Sequence, residues 1–363
     1  MIMVDRVSVF IIAEAGVNHN GSVERAFEMV DCALAAGADA VKFQTFRAKN
    51  LVTRSATKAA YQTRNLGSDE SQFEMIQKLQ LDDQAHKVIA ERCAKKGIQF
   101  LSSPFDLESL AFLVHDLNMG VVKIPSGEIT NAPLLLAASR MGKSIILSTG
   151  MSTLEDVAMA LGVLAFGYSN SDEPPSLEVF QRAYQSPDSR QIVGERVTLL
   201  QCTTDYPVSF GEINLRVMET LRRTFEVSVG LSDHSRGMEV PIAAVAMGAA
   251  MVEKHFTLDR NLPGPDHKAS LEPSELKAMI HSIRNVEQAL GSSAKTPTAS
   301  ELQNLPIVRK SLVASCAIKK GEPFTSINLT SKRPGNGISP MHYWNWLGKA
   351  ADRDYAPDEL IGP

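Results

Sequence analysis

Short apolar runs alternate with longer amphipathic stretches from the start of the chain to about residue 290. The apolar runs fall at 9–13, 40–43, 98–102, 121–124, 144–147, 197–200, 227–231 and 251–255. Each is short and mostly flanked by Gly, Pro or polar residues, as a strand buried on both faces requires. Helix-like segments at 23–36, 84–96, 131–141, 239–247 and 274–290 occupy most of the intervals. Such alternation predicts parallel strands joined by crossover helices. Eight strands of this kind predict an α/β fold, a closed (β/α)8 TIM barrel.

Two intervals break the rhythm. Residues 48–80 form a long polar excursion before a helix, read here as a lid or flap over an active site. Residues 166–196, with Ser-Asn-Ser-Asp-Glu-Pro-Pro near their start, read as a surface-loop insertion. After Leu290 the composition turns small and polar, which makes 291–306 a linker. Residues 307–363 read as a compact β-rich domain with Gly/Pro turns, so the barrel domain spans 1–290.

Composition narrows the function. Of 363 residues, 44% are hydrophobic and 21% charged, enough for a sizeable core without disulfide staples. The net charge of −4, of mixed sign and without a basic run, argues against nucleic acid or an acidic membrane as partner. Cys32, Cys93, Cys202 and Cys316 lie far apart, which fits a reducing cytoplasm rather than a disulfide framework. The N-terminus carries Asp5 and Arg6 and runs into the first strand, so no export leader is expected. No apolar run approaches the roughly 18 residues of a membrane span.

In such a barrel the active site lies at the C-terminal ends of the strands. Polar residues occupy all eight of those ends. They are Glu14, Lys42 with Gln44, Ser103, Lys123 with Ser126, Ser148, Thr204 with Tyr206, Ser232 with His234, and Glu253 with His255. His234 and His255 end neighbouring strands. Two imidazoles converging there, with open positions left, suit a divalent ion such as Mn²⁺. Glu253 shares a strand face with His255. Lys42 and Lys123 would be partly buried, and buried lysines are rare unless paired or used. They suit phosphate binding alongside the surrounding hydroxyls, or Schiff-base chemistry, or snorkelling at the rim.

Several runs together resemble the sialic acid synthase family. They are 11–21 (IIAEAGVNHNG), 41–44 (VKFQ), 123–128 (KIPSGE), 148–151 (STGM), 230–234 (GLSDH), 253–258 (EKHFTL), 264–267 (GPDH) and 332–337 (KRPGNG). The resemblance runs in order across almost the whole chain. It implies a TIM barrel followed by an antifreeze-like (SAF) domain, usually in a domain-swapped homodimer. It also implies condensation of phosphoenolpyruvate with an N-acetylated hexosamine of the N-acetylmannosamine type, with Mn²⁺ or Mg²⁺ as cofactor. Legionaminic or pseudaminic acid synthesis from a 2,4-diacetamido-trideoxyhexose is the alternative. Carried over by motif, His234 and His255 would bind the metal. Lys42, Ser103, Lys123, Ser126, Ser148 and Ser232 would hold phosphoenolpyruvate. Glu14, Gln44, Tyr206 and Asp266 would contact the sugar or move protons, with Glu253 near the metal. The partner's Arg333 would reach the sugar. Thr204 stands where some members carry Asn.

Two rivals make different predictions. A Schiff-base aldolase would work without metal. A binding or ice-interacting protein with a decayed barrel is disfavoured by the intact Lys42, Lys123, His234 and His255.

Overall fold

A computed structural model describes residues 8–66 and 70–362. Residues 1–7, on which the absence of a leader was partly read, lie outside it. The chain divides into two compact units, Met1–Gly291 and Ser292–Pro363.

The first unit is the expected barrel. Its strands are β1 (Phe10–Gly16), β2 (Ala40–Thr45), β3 (Gln99–Pro104), β4 (Val121–Ile124), β5 (Ser144–Ser148), β6 (Val197–Cys202), β7 (Ser228–Asp233) and β8 (Met251–His255). They lie in the order β3-β2-β1-β8-β7-β6-β5-β4, each hydrogen-bonded pair parallel. β3 and β4 close the seam by packing side by side.

The pleat divides the work between two faces. Outward residues such as Ile11, Ala13, Val41 and Phe43 join the large core under the helices. Inward residues fall into layers. Ile12, Ala40, Leu101, Ile146 and Leu200 fill the barrel floor, and one pleat further on Glu14, Lys42 and Ser103 face the same interior. The register holds Glu14 beside Lys42 and His255, and Ser232 beside Glu253 and Cys202. Gly230 is required by the narrow interior, because a Cβ there would stand 2.3 Å from the Met251 carbonyl oxygen.

The helices start where local chemistry dictates. Ser22 caps Val23–Ala36, and Gly37 ends it in the left-handed conformation at φ +88°. Ser71 and Glu74 close a reciprocal capping box on Gln72–Leu79.

The insertion at 166–196 differs from the surface loop expected of it. Helix Leu154–Tyr168 runs through its start, and helices Leu177–Gln185 and Pro187–Arg196 follow. Val179, Phe180 and Val193 reach the main core, and Phe166 and Phe180 pack edge to face at 5.4 Å. Gly162 allows the close approach, since a Cβ there would lie 2.7 Å from the Phe180 carbonyl oxygen. These few apolar positions are diluted by polar ones facing water, so the stretch resembles a loop until its packing partners are known.

The second unit holds a two-stranded antiparallel sheet, β9 (Ser311–Ala314) with β10 (Leu329–Lys332). Leu312, Ala314, Ile318, Phe324, Leu329 and Tyr355 form its core. The stretch read as linker carries a helix, Ala299–Val308, begun by a Thr298–Glu301 capping box. Among the described residues no helix is long and apolar enough to cross a membrane.

Candidate active site

The strand ends of the barrel enclose a cavity of about 330 Å³. It is lined by Glu14, Lys42, Gln44, Ser103, Lys123, Ser126, Ser148, Thr204, Tyr206, Ser232, His234, Glu253, His255 and Asp266. Of the residues singled out in the sequence, only Arg333 is not among them. It belongs to the second unit, exposed, with its Nε donating to the Val308 carbonyl at 2.9 Å.

At the cavity floor four ionisable side chains form a closed, buried cluster. Lys42 Nζ stands 2.7 Å from Glu14 Oε2 and 3.5 Å from Glu253 Oε2, and donates to Ser103 Oγ at 3.1 Å. Lys123 Nζ stands 3.1 Å from Glu253 Oε1, which also accepts from the Ser232 hydroxyl at 2.8 Å. All four charges are almost wholly shielded from water. Two ammoniums against two carboxylates make the cluster formally neutral, the condition under which buried charge is tolerable.

The groups respond differently to that setting. Burial pushes the Glu14 carboxyl up to about 7, with Lys42 pulling the other way. Burial also opposes the Glu253 charge, but Lys123 and Lys42 prevail and hold it well below the usual carboxylate range. Burial lowers Lys123, which has Glu253 as its main counter-charge, whereas Glu14 and Glu253 together overcome burial and keep Lys42 raised. Asp266, pushed up to about 6 by burial with His234 opposing, stands at the edge of the same cavity.

The two histidines meet as expected. Their ring centroids are 5.3 Å apart, and the Tyr206 ring lies 4.0 Å from His234 and 5.6 Å from His255. His234 Nδ1 donates to the Thr203 carbonyl at 2.7 Å, which leaves Nε2 as its lone-pair nitrogen. His255 Nδ1 is buried and has no hydrogen-bond partner. Gly16, at φ +53°, makes room for that ring, because a Cβ there would stand 3.2 Å from His255 Cε1. Two imidazoles sharing one ion through bonds of about 2.1 Å have ring centres on the order of 5 Å apart, so this pair fits a divalent cation. Among the described residues no group of three or more His, Cys, Asp or Glu side chains is placed to hold a metal ion, so the protein's share of such a site would be this pair.

Hydroxyls complete the floor. Ser126 Oγ accepts from the Gly150 amide at 3.0 Å, while Ser148 Oγ and Thr204 Oγ1 are buried without partners. Gly150 keeps this corner open, since a Cβ there would stand 2.4 Å from Thr204 Oγ1 and 2.8 Å from Ser126 Oγ.

The loop residues next to the site hold it together. Asn18 Nδ2 donates to the Phe256 carbonyl and to Ser270 Oγ. His267 joins Thr257 to Asn20 through its two ring nitrogens. Within the Gly264–His267 turn, Asp266 thus faces the cavity while His267 is structural.

Sequence reasoning missed several lining residues. Cys202 Sγ lies 3.8 Å from His234 Nδ1. Val17, Phe46, Leu51, Val52, Met75 and Ile76 supply an apolar wall. The signal for most of them was the 48–80 excursion itself, which contributes much of this wall.

Fold and site together define a (β/α)8-barrel protein with a charged catalytic-type cavity at the strand ends and a small β-rich C-terminal domain. The chain belongs to the NeuB family, whose model matches residues 29–295, and a SAF domain matches residues 309–363. It is 49% identical to the N,N'-diacetyllegionaminic acid synthase of Campylobacter jejuni, over 97% of this chain and 98% of that one. The enzyme of the same name from Legionella pneumophila is 41% identical, over 94% and 90%. The crystal structure of the Leptospira borgpetersenii N-acetylneuraminic acid synthetase, in complex with citrate, aligns with a TM-score of 0.65 at 31% identity, covering 82% of this chain and 90% of that one.

Proposed function

We propose that the chain condenses phosphoenolpyruvate with an open-chain 2,4-diacetamido-2,4,6-trideoxyhexose, giving a legionaminic-type nine-carbon acid and phosphate. The sequence motifs favour N-acetylmannosamine as acceptor. The near full-length likeness to two N,N'-diacetyllegionaminic acid synthases moves the reading to the diacetylated sugar.

The observation that carries the reaction type is the buried cluster of Lys42, Lys123, Glu14 and Glu253 ringed by hydroxyls. Lys42 and Lys123, with Ser103, Ser126, Ser148 and Ser232, would hold the phosphate and carboxylate of phosphoenolpyruvate at the buried floor of the cavity. A carbon–carbon bond forms between C3 of phosphoenolpyruvate and the aldehyde carbon. Water adds to the cationic C2, and the C2–O bond then breaks to release phosphate. Glu14, with its carboxyl near neutrality, is suited to take the proton of that water. Gln44, Thr204, Tyr206 and Asp266 border the acceptor side. A divalent ion, Mn²⁺ or Mg²⁺, held by His234 and His255 would polarise the aldehyde and stabilise the charge developing on its oxygen. The reading includes a cytoplasmic homodimer in which the partner's Arg333 reaches the acceptor.

Phosphate release from phosphoenolpyruvate tests it, with the diacetamido sugar or N-acetylmannosamine as acceptor and with or without EDTA. EDTA-sensitive release that is fastest with the diacetamido sugar supports the reading. Faster release with N-acetylmannosamine returns the acceptor to the neuraminate type. Release indifferent to EDTA, together with borohydride trapping of Lys123 in the presence of pyruvate, would replace it with Schiff-base chemistry.

A further inference from the structure

The cavity has two chemically opposite halves. Its floor carries the lysines, carboxylates and hydroxyls described above. Its other side is lined from the described part of the 48–80 excursion by Leu51, Val52, Met75, Ile76 and Leu79, with the uncharged Tyr61, Gln62 and Gln72 among them. In helix Gln72–Leu79 the lining residues are Gln72, Met75, Ile76 and Leu79, the spacing of a single helical face. The Ser71–Glu74 capping box fixes where that helix begins, and packing of Met75 and Ile76 turns this face inward. Val52 lines the cavity from the end of the short helix Ala48–Leu51. Met75 and Ile76 pack with Val17 and Phe46, which line the cavity beside them, so the wall is braced by a small core of its own.

Both anionic groups of phosphoenolpyruvate find charged donors on the floor, whereas the wall offers no charge, only the neutral polar side chains of Tyr61, Gln62 and Gln72 among its apolar ones. The wall must therefore meet the other substrate. A hydroxyl laid against Val52, Met75 or Ile76 would lose its water partners and gain nothing in return, whereas a methyl group gains contact area. We infer that Val52 and Met75, with Ile76, are specificity-determining residues that receive the methyl carbon of a 6-deoxy sugar where other hexosamines carry a hydroxymethyl. This inference rests on the synthase reading above and adds to it the residues that read the acceptor. Apolar pockets reject an added hydroxyl only modestly, by about 10- to 100-fold, so selectivity of that order is expected rather than an absolute block.

The test compares two acceptors differing by one oxygen: 2,4-diacetamido-2,4,6-trideoxyhexose and its 6-hydroxy counterpart. kcat/KM is measured for both with the full-length protein, Met75→Gln and Val52→Thr, the second nearly isosteric and chosen in case the first does not fold. The wild type should prefer the 6-deoxy sugar by at least about tenfold. Each folded variant should bring the ratio towards one while the KM for phosphoenolpyruvate stays unchanged. A wild type without that preference, or variants that leave it intact, would overturn the inference while the synthase reading stands. No phosphate release by the wild type with any amino sugar would instead overturn the synthase reading, and the inference with it.

Discussion

Lys254 Nζ stands 2.6 Å from Asp233 Oδ2, both side chains fully buried on the outer faces of β8 and β7. Each lies next in sequence to one of the two cavity histidines, His255 and His234. Asp233 also accepts from the backbone and hydroxyl of Ser235, and Lys254 donates to the Ser235 carbonyl. The ion pair thus ties the turn after β7, which carries His234, to β8, which carries His255.

Breaking that pair from one side should be costly. Asp233→Ala leaves an ammonium buried without its counter-charge, and a loss of about 3–5 kcal/mol is expected in urea unfolding. The double variant Asp233→Leu with Lys254→Met should recover a large part of that loss. Equal destabilisation of single and double variants would refute the role assigned to the pair.

The histidine pair is tested by binding rather than by turnover alone. His255→Ala should remove calorimetrically detected Mn²⁺ binding and EDTA-sensitive activity, with circular dichroism unchanged. Undiminished Mn²⁺ binding would place the ion elsewhere.

Glu14 is the buried carboxyl best matched to proton transfer near neutrality. Glu14→Gln preserves its shape and should lower kcat by about 10²- to 10⁴-fold, the usual worth of general acid–base catalysis. A loss confined to the KM for phosphoenolpyruvate would instead mark Glu14 as a residue that only orients Lys42.

Stability should fall in mild acid because of His19. Burial, with His86 and Arg25 adding to it, pushes this imidazole down to about 3. Its Nδ1 accepts from the Gly21 amide at 3.0 Å, an arrangement that a second ring proton would oppose. The folded pKa lies below the unfolded value of about 6.5, so the unfolded chain takes the proton first. Stability is full above about pH 6.5 and is lost progressively towards pH 3, with roughly 2 kcal/mol gone from this group at pH 5. Urea titrations at pH 7.5, 6 and 5 should show that slope, and His19→Asn should flatten it. An unchanged slope in the variant would assign the acid sensitivity to other groups.

The sequence by itself determined the barrel. Strands buried on both faces must be apolar and short, so all eight could be read from runs such as 121–124 and 251–255, which match β4 and β8. It also determined most of the cavity, because barrel geometry brings the last inward residue of every strand to one end. Glu14, Lys123 and His255, far apart in the chain, were therefore identifiable together.

Only the tertiary structure decided what depends on partners distant in sequence. Lys42 and Lys123 could each have snorkelled to the rim. Their pairing with Glu14 and Glu253 shows that they do not, and the balance of burial against neighbouring charge then sets which of the four carries its charge most easily. The 166–196 insertion declared itself helical only once Phe180 had Phe166 to pack against. The apolar wall followed the same rule. A Met or Val in a polar excursion looks incidental until folding carries Val52 and Met75 across the barrel mouth, opposite the charged floor.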